Sequence, residues 1–311
     1  MYYSCGIYSP KKRQIGIKIK NKSVGFVNAL LMYFVILWLA KLILGGAGMQ
    51  NTDSVEIFNK VAEVGLVFWL TKIVATTLGE TFGDFLSMTL NLGYSITLLL
   101  TAVFLMITLS AQLSSKKYVP LYFWLAIVGT TTVGTEISDL LDRTLHLGYP
   151  LGSLILTTGL FLTLFAWFKK FNDLSIYPMT DKTKELLFWI AVLFSNSLGT
   201  AFGDFLSDSL GLGYLGATFI TTGVILAVVI LHHFSNVNKI ALFWVAFVFT
   251  RPFGATFGDL LTKPLSMHGF GLGTLNASAV ELAIIAGLIF FAHLNLKSNQ
   301  KLSYQKINRV N

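Results

Sequence analysis

Eight carboxylates stand in four windows of the chain that repeat one another: Glu80 and Asp84; Glu136, Asp139 and Asp142; Asp204 and Asp208; and Asp259. The chain around them is strongly apolar, and stretches such as 94–109 and 149–168 carry no charge at all. A carboxylate at the centre of a membrane helix costs about 2.5–3.5 kcal/mol even on lenient insertion scales. Such a cost calls for a counter-charge, for water, or for a use. Hydroxyl and amide groups precede the acids at Thr76-Thr77, Thr130-Thr131-Thr132 and Ser195-Asn196-Ser197. Oxygen ligands of this kind, without converging Cys or His, suit hard ions such as Mg, Ca, Mn or Na, and protons, over copper or zinc. They also suit hydrogen bonding between helices, which is the structural alternative.

The spacing divides the acids into two groups. Glu80 precedes Asp84 by four residues and Glu136 precedes Asp139 by three, which puts each pair on one helical face. Arg143 follows Asp139 by four residues, and Lys263 follows Asp259 by four, so these acids are expected to form helical ion pairs. Met88 and Asp208 occupy that offset after Asp84 and Asp204. Asp84, Asp204, Glu80 and Asp208 are therefore expected to be the free carboxylates of a cation or proton pathway, with the other two windows structural. Arg251 stands where the other copies have Thr76, Thr131 and Asn196, and is expected to pair with Glu80, Glu136 or Glu281, the last itself inside an apolar stretch. Lys72 is expected to pair likewise or to snorkel toward the cytoplasm. In the competing structural reading all the acids cap helix ends at the edge of the hydrocarbon. The 18 residues from Leu186 to Asp204 span about 27 Å of helix, which makes that reading geometrically reasonable.

The elements that hold these acids follow from a repeat. Phe-Trp occurs at 68–69, 123–124, 188–189 and 243–244, with spacings of 55, 65 and 55; Gly79, Gly134, Gly199 and Gly254 keep the same register, as do Asp84, Asp139, Asp204 and Asp259. Three copies close on Leu-Gly-Tyr, at Tyr94, Tyr149 and Tyr214, whereas the fourth substitutes a longer segment, 264–273. Each copy holds two apolar runs long enough to span a bilayer, about 64–88 and 94–112, 119–143 and 149–168, 184–208 and 213–232, and 239–263 and 273–294. The expected architecture is all-α and membrane-embedded. Eight core spans form four parallel two-helix repeats, with one further hydrophobic helix at 24–44, inside a basic leader of residues 1–58. The repeats occupy 59–115, 116–172, 173–235 and 236–296, and a basic tail, expected to be cytoplasmic, follows at 297–311.

With 54% hydrophobic and 12% charged residues among 311, a soluble domain is excluded on composition. The net charge of +8 does not point to nucleic acid, because Lys116, Lys117, Lys169, Lys170, Lys182, Lys184 and Lys239 flank apolar runs in the manner of cytoplasmic loops. The acids then lie toward the opposite side. The leader conflicts with this scheme, since its own lysines also ask to be cytoplasmic. The single cysteine, Cys5, excludes an intrachain disulfide and a thiolate metal cluster. No Ser-His-Asp set, Walker loop or HExxH motif is present, so no enzyme activity and no cofactor are expected.

In register, the recurring Phe-Trp, the Thr-Thr-Leu-Gly-Glu-Thr-Phe-Gly-Asp of 76–84 and the Leu-Gly-Tyr turns resemble a family of uncharacterised bacterial integral membrane proteins. That family is built from four copies of a repeat of unknown function, each with two transmembrane segments and a characteristic tryptophan. The resemblance covers about residues 59–294 and implies fold and membrane location, the bacterial inner membrane, without an activity. The residues themselves point to a multi-pass permease or channel for a hard cation, Na or protons, with the lipid bilayer as its surroundings. The alternative is a membrane scaffold or sensor that does not transport and whose acids staple the repeats.

Overall fold

The computed structural model describes residues 59–310, with side chains described through Lys297. The leader and its apolar run at 24–44 lie outside the described residues. Within them the chain is helical, without strands: α1 (Leu66–Asp84), α2 (Tyr94–Ser114), α3 (Pro120–Asp139), α4 (Gly148–Phe171), α5 (Lys182–Asp204), α6 (Gly213–Phe234), α7 (Lys239–Thr262) and α8 (Thr274–Val310). The ends fall where local chemistry puts them. Pro120 opens α3 with a φ already suited to a first helical turn. Asp181 caps α5 by accepting from the N–H groups of Thr183 and Lys184, which hold its carboxyl below the usual carboxylate range. The Asn238 side chain caps α7 in the same way. α8 runs on well past the expected apolar stretch, because neither glycine nor proline interrupts the sequence after Gly287. The tail beyond Lys297 is thus helical to Val310.

The turn inside each repeat is also encoded locally. Asn91 and Gly93, His146 and Gly148, and Gly211 and Gly213 all adopt positive φ, at 58° and 73°, 55° and 72°, and 67° and 64°. Two left-handed residues either side of a leucine reverse the chain in three residues, and only glycine, or less readily Asn or His, takes such values cheaply. Just before this turn the first helix of repeats one to three loosens into a single π turn, Phe85–Thr89, Leu140–Thr144 and Phe205–Ser209, starting immediately after the repeated aspartate.

The first helices of the four repeats, α1, α3, α5 and α7, form a closed inner ring in which each touches the next and α7 returns to α1. They run in the same direction at the same level, because matching residues meet at every junction. A Cβ at Gly79 would lie 2.4 Å from Thr131, one at Gly134 2.9 Å from Asn196, one at Gly199 2.3 Å from Arg251 and one at Gly254 2.6 Å from Thr76. The motif glycines sit within continuous helices where two backbones come together. The end of the ring opposite the turns inside the repeats is sealed by the Phe-Trp pairs. Phe68 packs on Trp124 and Phe123 on Trp189, both at 5.6 Å between ring centres, and Phe243 on Trp69 at 5.7 Å. At the remaining junction Trp167 of α4 meets both Phe188 and Trp244.

The outer helices cover the ring with a one-repeat offset. α2 packs on α3, α4 on α5, α6 on α7, and α8 closes the circle on α1. Their other faces are left apolar and exposed, with Leu99, Val103, Ile107, Phe161, Phe165, Phe219 and Phe290 among the outward residues. Among the described residues, six helices are long and apolar enough to cross a membrane. The two that are not, α1 and α3, carry Lys72, Glu80 and Asp84, and the Thr130–Thr132 run with Glu136 and Asp139; as inner helices they bury most of their residues against protein. Below the aromatic seal, Lys60 and Glu185 form a buried ion pair, Gln112 donates to Glu185 at 3.2 Å, and the Asn59 side chain accepts from Met179 N–H at 2.9 Å. Residues 59–62 are thereby fastened to α2 and α5.

The close approach at Gly79 sets a test of the ring. Gly79→Ala forces a methyl group onto Thr131, including its backbone carbon at 2.9 Å. It should lower stability in detergent by about 1–3 kcal/mol. Gly223→Ala, whose added methyl meets nothing within 4 Å, should leave the unfolding midpoint unchanged or raised.

Candidate functional site

Stepping by four residues along α1 from Lys72, and by the repeat register to its counterparts, brings together the polar interior of the ring. Lys72 lies among the counterpart positions Ile127, Val192 and Phe247. Its ammonium donates to Asn196 Oδ1 at 3.2 Å and sits 4.1 Å above the Phe247 ring, so this buried cation is partnered without a carboxylate. Asn196 in turn donates to Thr130 Oγ1 at 3.1 Å.

One register step further on, Arg251 reaches into the middle of the ring and touches all the other repeats. Its Nη2 donates to Glu80 Oε2 at 3.0 Å, to Thr200 Oγ1 at 2.6 Å and to Thr135 Oγ1, while Nη1 donates to Thr76 O at 3.3 Å. Thr135 and Thr200 occupy the positions that Glu80 holds in repeat one, so three register-matched residues converge on one guanidinium. The side chain is wholly buried. Of the three acids expected as partners for Arg251, Glu80 is the one that pairs. Glu281 instead accepts from Thr81 Oγ1 at 2.6 Å. Glu136 is buried with neither carboxylate oxygen partnered.

The four repeated aspartates follow, all buried. Arg143 bridges its own Asp139 at 3.3 Å and Asp204 of the next repeat at 2.8 Å; Lys263 bridges its own Asp259 at 3.0 Å and Asp84 at 2.7 Å. The ion pairs within repeats two and four are therefore present, but the expected division of labour is not. Asp84 and Asp204 are not free. The next repeat lies beside each basic residue at the same level, so one cation serves two aspartates. The asymmetry belongs to the junctions: those between repeats two and three and between four and one hold a bridging cation, and the other two hold none. Asp208, expected in the same pathway group, is exposed and accepts from Tyr149 OH at 3.3 Å. Asp142 accepts from Ser138 at 3.3 Å.

Glu80, Asp84 and Asp259 each bring one oxygen within 4.8 Å of the others, a spacing that a metal ion could bridge. Lys263 and Arg251 already supply positive charge to these same acids, so the cluster is neutralised from within. Across the whole layer six buried carboxylates, Glu80, Asp84, Glu136, Asp139, Asp204 and Asp259, face three cations, Arg143, Arg251 and Lys263. A cavity of about 390 Å³ lies elsewhere, at the Phe-Trp end between α1, α6 and α7, and its walls are apolar side chains such as Trp69, Ile225 and Phe253.

The residues missed from sequence fall into two kinds. Thr135 and Thr200 could have been found by asking which residues share Glu80's register. Tyr94, whose hydroxyl accepts from Arg143 at 3.1 Å, and Tyr149 stand in the repeated Leu-Gly-Tyr. Lys60, Gln112 and Glu185 have no counterpart pattern in the other repeats, and only the fold brings them together.

Arg251 gives the sharpest test of the layer. Arg251→Met leaves Glu80 buried without its cation and should cost about 3–5 kcal/mol of stability. Adding Glu80→Gln removes the stranded charge and should recover part of that loss in a double-mutant cycle. Equal destabilisation by the single and double variants would show that the pair is not coupled.

Comparison with known proteins adds family membership. No curated protein and no solved structure matches the chain. A family model described as Repeat of Unknown Function (DUF347) matches four tandem segments, residues 67–118, 122–170, 187–238 and 242–297, each holding the two helices of one repeat. The chain belongs to this DUF347 repeat family.

Proposed function

We propose that the chain is a multi-pass membrane permease, with eight core spans, that moves a proton or a hard cation through the acid layer inside its ring. The observation that carries this reading is the excess of buried carboxylates over cations, six against three in the acid layer and six against four with Lys72 below it, in a ring whose outer helices present apolar faces outward. A purely structural set of acids would be expected to reach neutrality, because each unmatched charge at such depth is costly. Glu80, Asp84 and Asp204, with Asp208 at the exposed margin, form the route. Arg251 and the two bridging cations are the barrier that closes it at rest. No enzymatic step is part of this reading, and the partners are the bilayer and the carried ion.

The basic loops put the Phe-Trp end in the cytoplasm, and the motif-side turns outside. Arg143 and Lys263, the Lys and Arg residues of those turns, are engaged by the acid layer, which leaves the asymmetry of free basic charge larger than the sequence count suggests. The chain's own membrane would be a bacterial inner membrane. A second reading, a scaffold held by ion pairs, draws support from the two bridges that tie neighbouring repeats.

Flux into proteoliposomes separates the two. Purified protein should carry protons or a monovalent or divalent cation down a gradient, and Asp84→Asn and Asp204→Asn should reduce the rate while the protein stays folded. Rates indistinguishable from protein-free vesicles would favour the scaffold. For topology, in a Cys5→Ser background, Ser209→Cys should react with an impermeant thiol reagent on intact cells and Lys117→Cys only after permeabilisation. The reverse pattern would invert the orientation.

A further inference from the structure

We infer that Glu136 is the proton-binding group of this layer, and that the ion carried is the proton. The inference rests on the permease reading for its transport arm, but the site itself stands on geometry. Glu136 is wholly buried on α3, and neither Oε1 nor Oε2 receives a hydrogen bond or an ion pair from any described residue. Every other buried acid of the ring has a donor or a cation: Arg251 at Glu80, Lys263 at Asp84 and Asp259, Arg143 at Asp139 and Asp204. Glu281 on α8 has Thr81.

The position is particular to repeat two. Its counterparts are Thr81, Ala201 and Thr256, so the fourfold register places a single carboxyl here. Room for it comes from the facing helix. A Cβ at Gly83 would lie 2.9 Å from Glu136 Oε1, so the glycine of α1 leaves the space into which the carboxyl projects. The junction between repeats one and two is one of the two that hold no bridging cation. The charged groups around Glu136 are Asp139 and Arg143 on its own element, and Asp84 and Glu80 from α1. Arg143 is shared with Asp204 of α5 and bonded to Tyr94 of α2.

The same geometry selects among cations. A metal ion of the hard class needs several oxygens within about 2.0–2.6 Å of one point. No hydrogen-bond donor reaches either Glu136 oxygen, and Glu136 is not one of the acids whose oxygens converge on a common point among the described residues. The cluster that does bring three carboxylate oxygens together, Glu80, Asp84 and Asp259, is at a different junction and is already matched by Lys263 and Arg251. A proton needs only the one oxygen. It binds as the O–H of a neutral carboxylic acid and leaves the carboxylate behind on release, with Asp139, three residues along, as the next acid toward the motif-side end.

Two measurements on the full chain test this. Infrared spectroscopy of the protein in lipid at neutral pH should show the carbonyl stretch of a protonated carboxylic acid, shifted in D₂O and lost in Glu136→Gln. In proteoliposomes with an internal pH dye, proton flux should be lost in Glu136→Gln and unchanged in Glu63→Gln, an exposed acid outside the ring. A protonated-acid band that persists unchanged in Glu136→Gln, or no such band in wild type, overturns the assignment. Wild-type flux of a metal cation or Na without proton flux overturns the proton as cargo and leaves the permease reading standing. No flux of any ion overturns the permease reading, and the infrared result then decides the protonation of Glu136 by itself. Should Glu136→Gln fail to fold, Glu136→Asp replaces it: the band should move, and a band at the wild-type position would refute the assignment.

Discussion

A guanidinium with no access to solvent has to be satisfied from within, and in this molecule the whole upper half of the bundle is arranged around that need. Arg251 cannot shed its charge, and a planar fork of donors must find acceptors in several directions at once. The other three inner helices supply them to the two Nη atoms: Thr76 and Glu80 from α1, Thr135 from α3 and Thr200 from α5, while Nε has no hydrogen-bond partner among the described residues. This is possible only because the four helices are parallel, level and close. Close packing in turn requires the glycine that each helix places opposite its neighbour. The aspartate bridges one turn beyond obey the same constraint, since Arg143 and Lys263 each reach the acid of the following repeat as readily as their own.

Near-fourfold geometry with unequal side chains is what converts a symmetric scaffold into a polar interior with a direction. At the level of Lys72 the counterparts are apolar; at Arg251 they are hydroxyl and amide; at the aspartates all four are acidic. Positive charge is therefore deepest toward the Phe-Trp end, and negative charge accumulates toward the turns. Two junctions are stapled by bridging cations and two are not, which lowers the effective symmetry from fourfold to twofold, and Glu136 lies at one of the two unstapled junctions.

Most of the fold was legible because the register is visible in single letters. Phe-Trp, Gly and Asp recur at fixed offsets, the apolar runs between them have bilayer length, and the helix limits follow the turns and caps. The parallel direction of the repeats also followed, from the even number of runs in each. What the register could not give was the identity of neighbours. Spacing of four residues along one helix pairs Asp139 with Arg143 and Asp259 with Lys263, but is blind to Asp204 and Asp84, which face the same cations across the junction. A linear spacing rule sees only one helix, whereas here the adjacent helix is at hydrogen-bonding distance. For the same reason Glu136 looked like a partner for Arg251: it shares a window with Glu80, but not the face of its helix that reaches the arginine.

The offset of the outer helices bears on how such a chain can be made. Each outer helix shelters the repeat that follows it, so repeats two, three and four receive their cover from a segment synthesised just before them. α1 is the exception. Its cover is α8, and its second inner neighbour is α7, both at the far end of the chain. During synthesis α1, with Lys72, Glu80 and Asp84, therefore emerges before the other inner helices and waits longest, its acids without Arg251 and Lys263 until the last repeat is in place. Biogenesis of this ring is a closure problem: partial chains hold an open arc with charged ends. A shortened gene product lacking the fourth repeat would lose the countercharges of the first along with the helices it no longer encodes.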